Sequence, residues 1–291
     1  MTGATGLIGT HLCASLQSRG DHVVVLSRRR PVAAVTAARI LTWDAYTEPI
    51  PEEALEGADA IVNLAGESLS TGRWTRAQRD LIIKSRLTAT RRCAAASTPT
   101  RALISASAIG VYGPGEAPVD ESAEPGDDFL AHVCRSWETE AMAGQERGAR
   151  VVCLRTGLVL ARDGGVLPRL VGFAKWGLGG RMGSGKQWQS WIHIDDEVAI
   201  ILHAIDSDVV GPLNATAPNP VRQREFARTL GQAIHRPMQL PAPALALRLI
   251  LGGPASLALE GQRVVPQTML KSGFRFRYET LEPALLSLLR S

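Results

Sequence analysis

The sequence predicts an α/β protein with a doubly wound parallel sheet and a smaller α+β region toward its carboxyl end. Three observations predict this fold. A glycine-rich turn opens a helix at the start of the chain, short apolar runs then alternate with helical stretches up to about residue 157, and loops rich in glycine and tryptophan follow. The 291 residues, 45% of them hydrophobic, suffice for the core of one large or two modest domains.

The first nine residues carry glycines at positions 3, 6 and 9, a G-x-x-G-x-x-G pattern. Ile8, Leu12 and Leu16 follow on one helical face. A glycine turn that opens a helix presents backbone N–H groups and the positive end of the helix dipole, which together suit a pyrophosphate. Glycine triplets also occur in ordinary loops, so the alternation of strands and helices downstream is what favours a dinucleotide site.

A dinucleotide-binding sheet needs a buried strand directly before the first glycine, and the chain begins at Met1 with no room for one. We therefore expect that the first strand is truncated by roughly four or five residues. The alternative is a fold that lacks its central strand.

Short apolar runs are predicted as buried parallel strands at residues 23–26, 39–44, 60–66, 101–105 and 151–154. Helical patterns between them are predicted near residues 52–56, up to about residue 97, and over 129–145. Later elements are strands at 190–194 and around 214–217, a helix capped by Asp195 and Asp196, and helices near 225–234, 244–251, 266–271 and 281–289.

We expect a Rossmann domain over residues 1–157, with contributions to its sheet continuing to about residue 215. Residues 158–291 are expected to form a smaller region on the substrate side. Glycine-rich loops dominate the start of that region, and no clean linker separates it from the first.

The residues after the strand at 23–26 predict which dinucleotide is bound. Proteins that prefer NAD place an acidic residue here for the ribose 2′-hydroxyl, whereas this chain has Ser27 and Arg28, followed by Arg29 and Arg30. A hydroxyl and a guanidinium would bind a 2′-phosphate through charge-assisted hydrogen bonds. The sequence therefore favours NADP, and a solvated basic turn is the alternative.

Composition narrows the class of protein. The four scattered cysteines form no C-x-x-C pair, which favours reduced thiols in a cytoplasmic protein and argues against a metal site. The net charge of +4 comes from arginines that are spread along the chain, so nucleic-acid binding is unsupported. No apolar run reaches the 18 residues of a membrane span, and no signal peptide is recognisable.

The ordered motifs resemble the extended short-chain dehydrogenase/reductase superfamily, and more closely an atypical epimerase-like branch that ends in a small carboxyl-terminal domain of unknown function. The motifs that carry the resemblance are T-G-A-T-G-L-I-G at 2–9, S-R at 27–28, N-L-A-G-E at 63–67, R-W-T at 73–75, S-R at 85–86, S-A-S-A-I-G-V-Y-G at 105–113, C-R-S-W-E at 134–138, L-R-T-G at 154–157, W-I-H-I-D-D at 191–196, N-A-T-A-P-N-P at 214–220 and G-Q-R-V-V-P at 261–266. They span essentially the whole chain. The resemblance assigns about residues 240–291 to the family-specific carboxyl-terminal domain.

The resemblance implies an NADP site. The positions it implies, from the pyrophosphate to the nicotinamide, are Gly3, Gly6, Leu7, Ile8, Ser27, Arg28, Leu64, Ala65, Arg86 and Leu158. The first four would hold the pyrophosphate, the next two the 2′-phosphate, and the backbone of the following pair would line the ribose and adenine. Arg86 would reach a phosphate or ribose, or else is a surface arginine without a ligand, and Leu158 would meet the nicotinamide amide.

Catalysis is where the chain departs from the family pattern. Short-chain reductases are expected to use Ser, Tyr and Lys, with the last two spaced Y-x-x-x-K so that the lysine lowers the pKa of the phenol. Ser107 stands at the serine position, but Cys134 and Glu138 occupy the matching places on the helix. The residues found four positions after the three tyrosines are Ile50, Glu116 and Glu282, so the chain contains no Y-x-x-x-K.

Several interpretations of these residues stay open. Cys134 and Glu138 are packing residues, or Glu138 is a general base or acid beside Ser107, or Cys134 is a proton donor, although a thiol without a cationic neighbour is rarely activated. Tyr112 is a weaker candidate for the acid, and Glu67 a candidate for substrate contact. His193 would contact substrate or be packed in its apolar strand.

Two functions from different classes follow. The first is an NADP-dependent oxidoreductase or epimerase that acts on an unknown small molecule, carbonyl or carbohydrate-like. The alternative is an NADPH-binding regulatory or redox-sensing protein with little or no turnover, because the Tyr–Lys pair is absent. The fold also allows a homodimer through its long helices.

Overall fold

The computed structural model describes residues 1–28, 39–69, 72–174, 177–236, 238 and 240–289. The strands are β1 Val24–Ser27, β2 Arg39–Thr42, β3 Ala60–Asn63, β4 Ala102–Ala108, β5 Pro118–Val119, β6 Val151–Thr156, β7 Leu158–Leu160, β8 Leu178–Met182, β9 Trp188–Gln189, β10 Trp191–His193, β11 Gly211–Ala215, β12 Val221–Arg222, β13 Leu240–Ala242 and β14 Arg263–Val264. The helices are α1 Leu7–Arg19, α2 Arg76–Ala96, α3 Phe129–Met142, α4 Leu167–Ala174, α5 Ile194–Asp206, α6 Gln223–Ala233, α7 Ala244–Leu251, α8 Ser256–Leu259, α9 Gln267–Lys271 and α10 Leu281–Leu289. Within these ranges, no helix combines the length and the apolar character needed to cross a membrane.

A parallel sheet forms the centre of the fold. β1 pairs with β2, and β3, β4, β6 and β11 pair in that order, always in parallel. Thr2 joins the two groups because it bridges Leu26 of β1 on one side and Asn63 of β3 on the other. Its N–H donates to the Val62 carbonyl at 2.9 Å, and the Met1 carbonyl accepts from the Leu26 N–H at 2.8 Å. The strand order β2-β1-Thr2-β3-β4-β6-β11 is the doubly wound arrangement that the sequence predicts, with Met1 and Thr2 opposite the carboxyl ends of β1 and β3.

Helices cover both faces of the sheet, and the alternation of side chains along each strand explains why. Val152 and Leu154 of β6 point into a core shared with α1 and α5, whereas Val151 and Cys153 point into a second core shared with α2 and α3. Burying one such aliphatic side chain stabilises the fold by about 1.5–3 kcal/mol. The two cores therefore hold the carboxyl ends of β4 and β6 in a fixed position, which is where the site is built.

Helix starts follow capping chemistry, with one correction to the prediction. Thr75 caps α2 and Asp128 caps α3 through their side-chain oxygens. The prediction that Asp195 and Asp196 cap α5 is wrong: the cap is His193, whose Nδ1 accepts from the Asp195 N–H at 3.0 Å. The two aspartates lie instead in the first turn, where their charge complements the positive end of the helix.

The region after residue 157 contains more regular structure than its glycine-rich sequence predicts. β7 pairs with β10, β8 with β13, and β9 with β12, and α4 lies between β7 and β8. These short strands are stabilised by pairing with distant segments instead of by their own hydrophobic pattern. They form one wall of a cavity that faces the carboxyl ends of the central strands.

Candidate active site

The glycine turn packs so tightly that side chains are excluded from two of its positions. Gly3 has φ +68°, and a Cβ there would lie 2.5 Å from the carbonyl carbon of Leu64. A Cβ on Gly9 would lie 2.3 Å from the carbonyl oxygen of Gly3. The turn, the start of α1 and the backbone of Leu64 and Ala65 are therefore in contact, as a dinucleotide cradle requires.

The first turn of α1 leaves backbone donors open to an anion. Gly6 is the N-cap residue and offers no side chain to the helix, and the first turn contains no acidic residue. The N–H groups of Leu7 and Ile8 lie at the start of the helix, where no earlier helical carbonyl is available to them. These groups and the helix dipole fit a pyrophosphate.

Ser27 and Arg28 lie at the carboxyl end of β1, beside the lane that Thr2 occupies. Ser27 is half-buried and Arg28 is exposed. Arg29 and Arg30, the rest of the predicted basic turn, lie outside the described residues.

A cavity of about 740 Å³ opens at the carboxyl ends of β4 and β6. Its walls come from the ends of both strands, from α3, α4 and α6, and from the segment around α8. Among the predicted site residues, Arg86, Cys134 and Leu158 line it. Ser107 is only 4% exposed and lies one residue behind the wall formed by Ala108.

Ser107, Glu138 and Arg155 form a buried hydrogen-bonded set. The Ser107 hydroxyl donates to Oε1 of Glu138 at 2.6 Å. Arg155 donates to both carboxylate oxygens of Glu138, at 2.9 Å from Nε and 2.8 Å from a terminal nitrogen. Burial alone would lower the pKa of Arg155, but the hydrogen bonds and charge of Glu138 outweigh it and raise that pKa. The contact that general-base chemistry at Ser107 requires is present, and so is the two-point ion pair of a structural carboxylate.

Tyr112 belongs to the same set. Arg155 donates to the Tyr112 hydroxyl at 2.8 Å, and that hydroxyl donates to Oδ1 of Asn214 at 2.7 Å. Burial raises the pKa of Tyr112, although Arg155 and Asn214 oppose the shift. Its hydroxyl proton is directed at an amide oxygen and not toward the cavity.

Cys134 lines the cavity but its thiol is held in the protonated form. Burial, followed by the charge of Glu138, raises the pKa of Cys134 to about 12. Arg86 opposes this shift without cancelling it. Like Cys13, Cys93 and Cys153, Cys134 is a buried free cysteine.

Arg86 is buried, with 8% of its surface exposed, so its interpretation as a surface arginine is wrong. It donates to the carbonyl of Glu67 at 2.9 Å, and its guanidinium lies 5.0 Å from the ring centroid of Trp137. Burial lowers the pKa of Arg86. A cation held at the cavity wall in this way is available to an anionic ligand.

The two remaining candidates have structural contacts. His193 stacks on Tyr278 with ring centroids 4.0 Å apart, and its Nε2 lies 3.1 Å from the hydroxyl of Ser287. Because its Nδ1 caps α5, both ring nitrogens have partners. Glu67 contacts Ser85 and Arg86 through its backbone.

Sequence reasoning did not identify two polar residues of the site. Arg155 holds Glu138, and Thr156 lines the cavity while its hydroxyl donates to buried Glu197 at 2.8 Å. A single arginine or threonine at a strand end has no diagnostic spacing. Glu197 resembles one more acid in the first turn of α5, and only its complete burial sets it apart.

The fold and motifs of the chain have known relatives. A family model described as the NAD dependent epimerase/dehydratase family matches residues 1–215. The chain belongs to this family. A second model, a domain of unknown function (DUF1731), matches residues 242–288, in agreement with the carboxyl-terminal domain that the resemblance assigns.

Relatives match this family member along nearly its full length. The epimerase family protein YfhF of Bacillus subtilis is 38% identical over 99% of this chain and 97% of its own. The crystal structure of human epimerase family protein SDR39U1 with NADPH has a TM-score of 0.88 and 33% identity, over 99% of this chain and 97% of that chain. A UDP-glucuronic acid 4-epimerase from Bacillus cereus, solved with UDP-glucuronic acid and NAD, shares the fold at a TM-score of 0.80 and 16% identity, over 99% and 96% of the two chains.

Proposed function

We propose that this epimerase family member binds NADP(H) and acts as an oxidoreductase or epimerase on a small substrate held in the 740 Å³ cavity. The observation that carries the proposal is the cradle formed by Gly3, Gly9 and the open first turn of α1. A Cβ at either glycine would collide with backbone, and the donors left free suit a pyrophosphate.

Ser27 and Arg28 support NADP over NAD. They occupy the end of β1, where an acidic residue would select the ribose 2′-hydroxyl and repel a 2′-phosphate. A guanidinium binds a phosphate through charge-assisted hydrogen bonds. The human relative was crystallised with NADPH, which agrees with this choice.

The residues around the cavity suggest how a substrate would be handled. When bound, the cofactor supplies or accepts a hydride. Arg155 fixes Glu138, and Glu138 in turn orients the Ser107 hydroxyl, so the oxygen lone pairs of Ser107 are left for a second partner. The apolar walls from α3, α4 and α6 exclude water from that end of the cavity.

The affinity for the two cofactors tests the binding part of the proposal. Titration of intrinsic tryptophan fluorescence should show NADPH binding about 10- to 100-fold more tightly than NADH, the difference expected from one charge-assisted contact. Arg28→Ala should remove most of this difference. Arg147→Ala, a change at an exposed arginine just before β6, should leave it intact. Equal affinities in the unmodified protein would overturn NADP selectivity.

A second function, cofactor binding with little or no turnover, is favoured by the Arg155–Glu138 pair and by the high pKa of Cys134. Both observations reduce the proton-transfer capacity near Ser107. NADPH oxidation in the presence of a library of aldehydes and ketones separates the two functions. Oxidation that is lost in Ser107→Ala supports the oxidoreductase, and no oxidation by the unmodified protein supports the binding protein.

A further inference from the structure

Thr156 and Glu197 form a second polar pair at the cavity, separate from the set around Ser107. The Thr156 hydroxyl is 2.8 Å from Oε1 of Glu197, and Thr156 lines the cavity. Glu197 is 0% exposed, and its Oε2 has no hydrogen-bond partner among the described residues. A buried carboxyl with an unsatisfied oxygen is costly, so its presence calls for an explanation.

The register of the sheet places this pair on the opposite face from Glu138. Ser107 lies beside Arg155 and Ala108 lies beside Thr156 in the β4–β6 pairing. Because side chains alternate along a strand, Arg155 points toward α3 and Thr156 points toward α5, which carries Glu197. The end of β6 therefore offers one polar group to each face.

The charged groups on the elements packed against Glu197 have other partners. His11 of α1 lies 3.0 Å from Asp163, Arg155 of β6 pairs with Glu138, and His193 of β10 contacts Ser287. The other titratable residues on α1, β6 and α5 are Cys13, Arg19, Cys153, Asp195, Asp196, His203 and Asp206. Among the described residues, Thr156 is the one hydrogen-bond partner of Glu197. Burial raises the pKa of Glu197 to about 8, and the hydrogen bond from Thr156 opposes the shift only partly.

We propose that Glu197 positions the Thr156 hydroxyl so that it donates a hydrogen bond into the cavity, where it recognises a carbonyl oxygen. A protonated Glu197 gives its proton to the Thr156 oxygen, which leaves the hydroxyl proton for a ligand. An ionised Glu197 instead takes that proton and leaves only lone pairs facing the cavity. Glu197 is thus a positioning residue, and the ligand oxygen belongs either to the carboxamide of a nicotinamide or to a carbonyl substrate. The inference rests on the proposed function, because it needs a ligand in this cavity.

The test compares NADPH with 2′-phospho-ADP-ribose, which keeps the 2′-phosphate and pyrophosphate but lacks the nicotinamide. The ratio of the two affinities cancels the titration of the phosphates, and it is measured from about pH 6 to about pH 10. If the carboxamide is the ligand, the advantage of NADPH should fall about tenfold above pH 8, the loss expected for one hydrogen bond. Glu197→Gln should make the ratio independent of pH, because an amide N–H donates to Thr156 at every pH.

Two variants of Thr156 separate the hydrogen bond from packing. Thr156→Val keeps the shape and should lose the NADPH advantage at every pH, whereas Thr156→Ser keeps the hydroxyl and should retain its pH dependence. Thermal unfolding of each variant establishes that it is folded. An unchanged ratio in folded Thr156→Val would exclude the carboxamide as the ligand.

The same titration with glyceraldehyde as a carbonyl probe, in the presence of NADP⁺, distinguishes the second source. A cofactor ratio that is flat in pH, together with glyceraldehyde binding that weakens above pH 8 and is flat in Glu197→Gln, assigns the hydrogen bond to the substrate. Flat behaviour for both probes in the unmodified protein overturns the inference alone. Failure of NADPH and of 2′-phospho-ADP-ribose to bind at all overturns the proposed function as well.

Discussion

Arg155 is the residue on which the geometry behind the cavity wall depends. It contacts both oxygens of Glu138 and the hydroxyl of Tyr112, and the side chain is 7% exposed. A charge pair of this kind contributes little when both partners are replaced, but removal of one partner leaves the other charge buried. The residue-scale consequences of this site are therefore asymmetric.

Arg155→Met should reduce the free energy of unfolding by about 3–5 kcal/mol, because Glu138 then remains buried without its partner. Urea denaturation followed by circular dichroism measures the change. The double variant Arg155→Met with Glu138→Leu should recover most of the loss. Equal destabilisation of the single and double variants would contradict a role through charge pairing.

Glu197 should make the stability of the protein depend on pH in an unusual direction. Its pKa rises from an ordinary 4.5 to about 8 in the folded state, so the folded state binds more protons than the unfolded state between these values. Stability from this group is complete below pH 4.5 and is lost as pH rises toward 8, at up to about 1.4 kcal/mol per pH unit. Glu197→Gln should remove this slope. Parallel stability curves of the two proteins over that range would contradict the assignment.

At the scale of elements, the contact between the glycine turn and α1 is the tightest part of the cradle. Gly9 lies inside α1, where alanine usually favours the helix. Here a Cβ would also approach the Cα of Ala4 to 2.7 Å, and both of the close neighbours are backbone atoms. Helix propensity and packing therefore oppose each other at this position, and packing is the larger effect.

Gly9→Ala should weaken NADPH binding at least tenfold and lower the free energy of unfolding by about 1–3 kcal/mol, because the turn has to shift away from the helix. Gly172→Ala in α4 is the matched control, since a Cβ there meets nothing within 4 Å. That change should stabilise the protein by a few tenths of a kcal/mol to about 1 kcal/mol. Fluorescence titration and urea denaturation measure both effects, and unimpaired NADPH binding by Gly9→Ala would contradict the proposed cradle.

The elements that sequence could predict are those with their own periodicity. α7 and α10 begin and end where their apolar patterns predict, and β4 and β6 differ from the predicted strands mainly by extending further at the carboxyl end. β7, β9 and β12 were not predicted, because strands of two or three residues have no readable alternation and exist through their distant partners. The site divides in the same way. The approach of Ser107 to Glu138 follows from motif positions, whereas the contacts of Arg155 and Glu197 arise only when β6 is placed between α3 and α5.

At the scale of the molecule, the carboxyl-terminal segment closes the cavity and is attached to the first region by the R-W-T motif. Arg73 donates to the carbonyl of Leu249, and the ring of Trp74 lies against Gly253, where a Cβ would approach it to 2.8 Å. Trp74 also packs against Phe129 of α3, with ring centroids 5.4 Å apart. Residues 251–262 contribute much of the cavity wall, so Trp74 connects the wall supplied by α3 to the wall supplied by this segment.

Trp74→Ala should therefore loosen the segment without unfolding the sheet. α7 depends on few internal contacts, since its residues include none that are buried, and Leu245, Leu249 and Ile250 are 65–72% exposed. Loss of the Trp74 contact should raise amide hydrogen exchange across residues 244–259 at least tenfold while exchange in β4 and β6 stays slow. Phe173→Ala, at a side chain that is 55% exposed on α4, should leave exchange in both regions unchanged. If exchange increased equally in the segment and in the central strands, the motif would be stabilising the whole fold and not specifically holding the cavity closed.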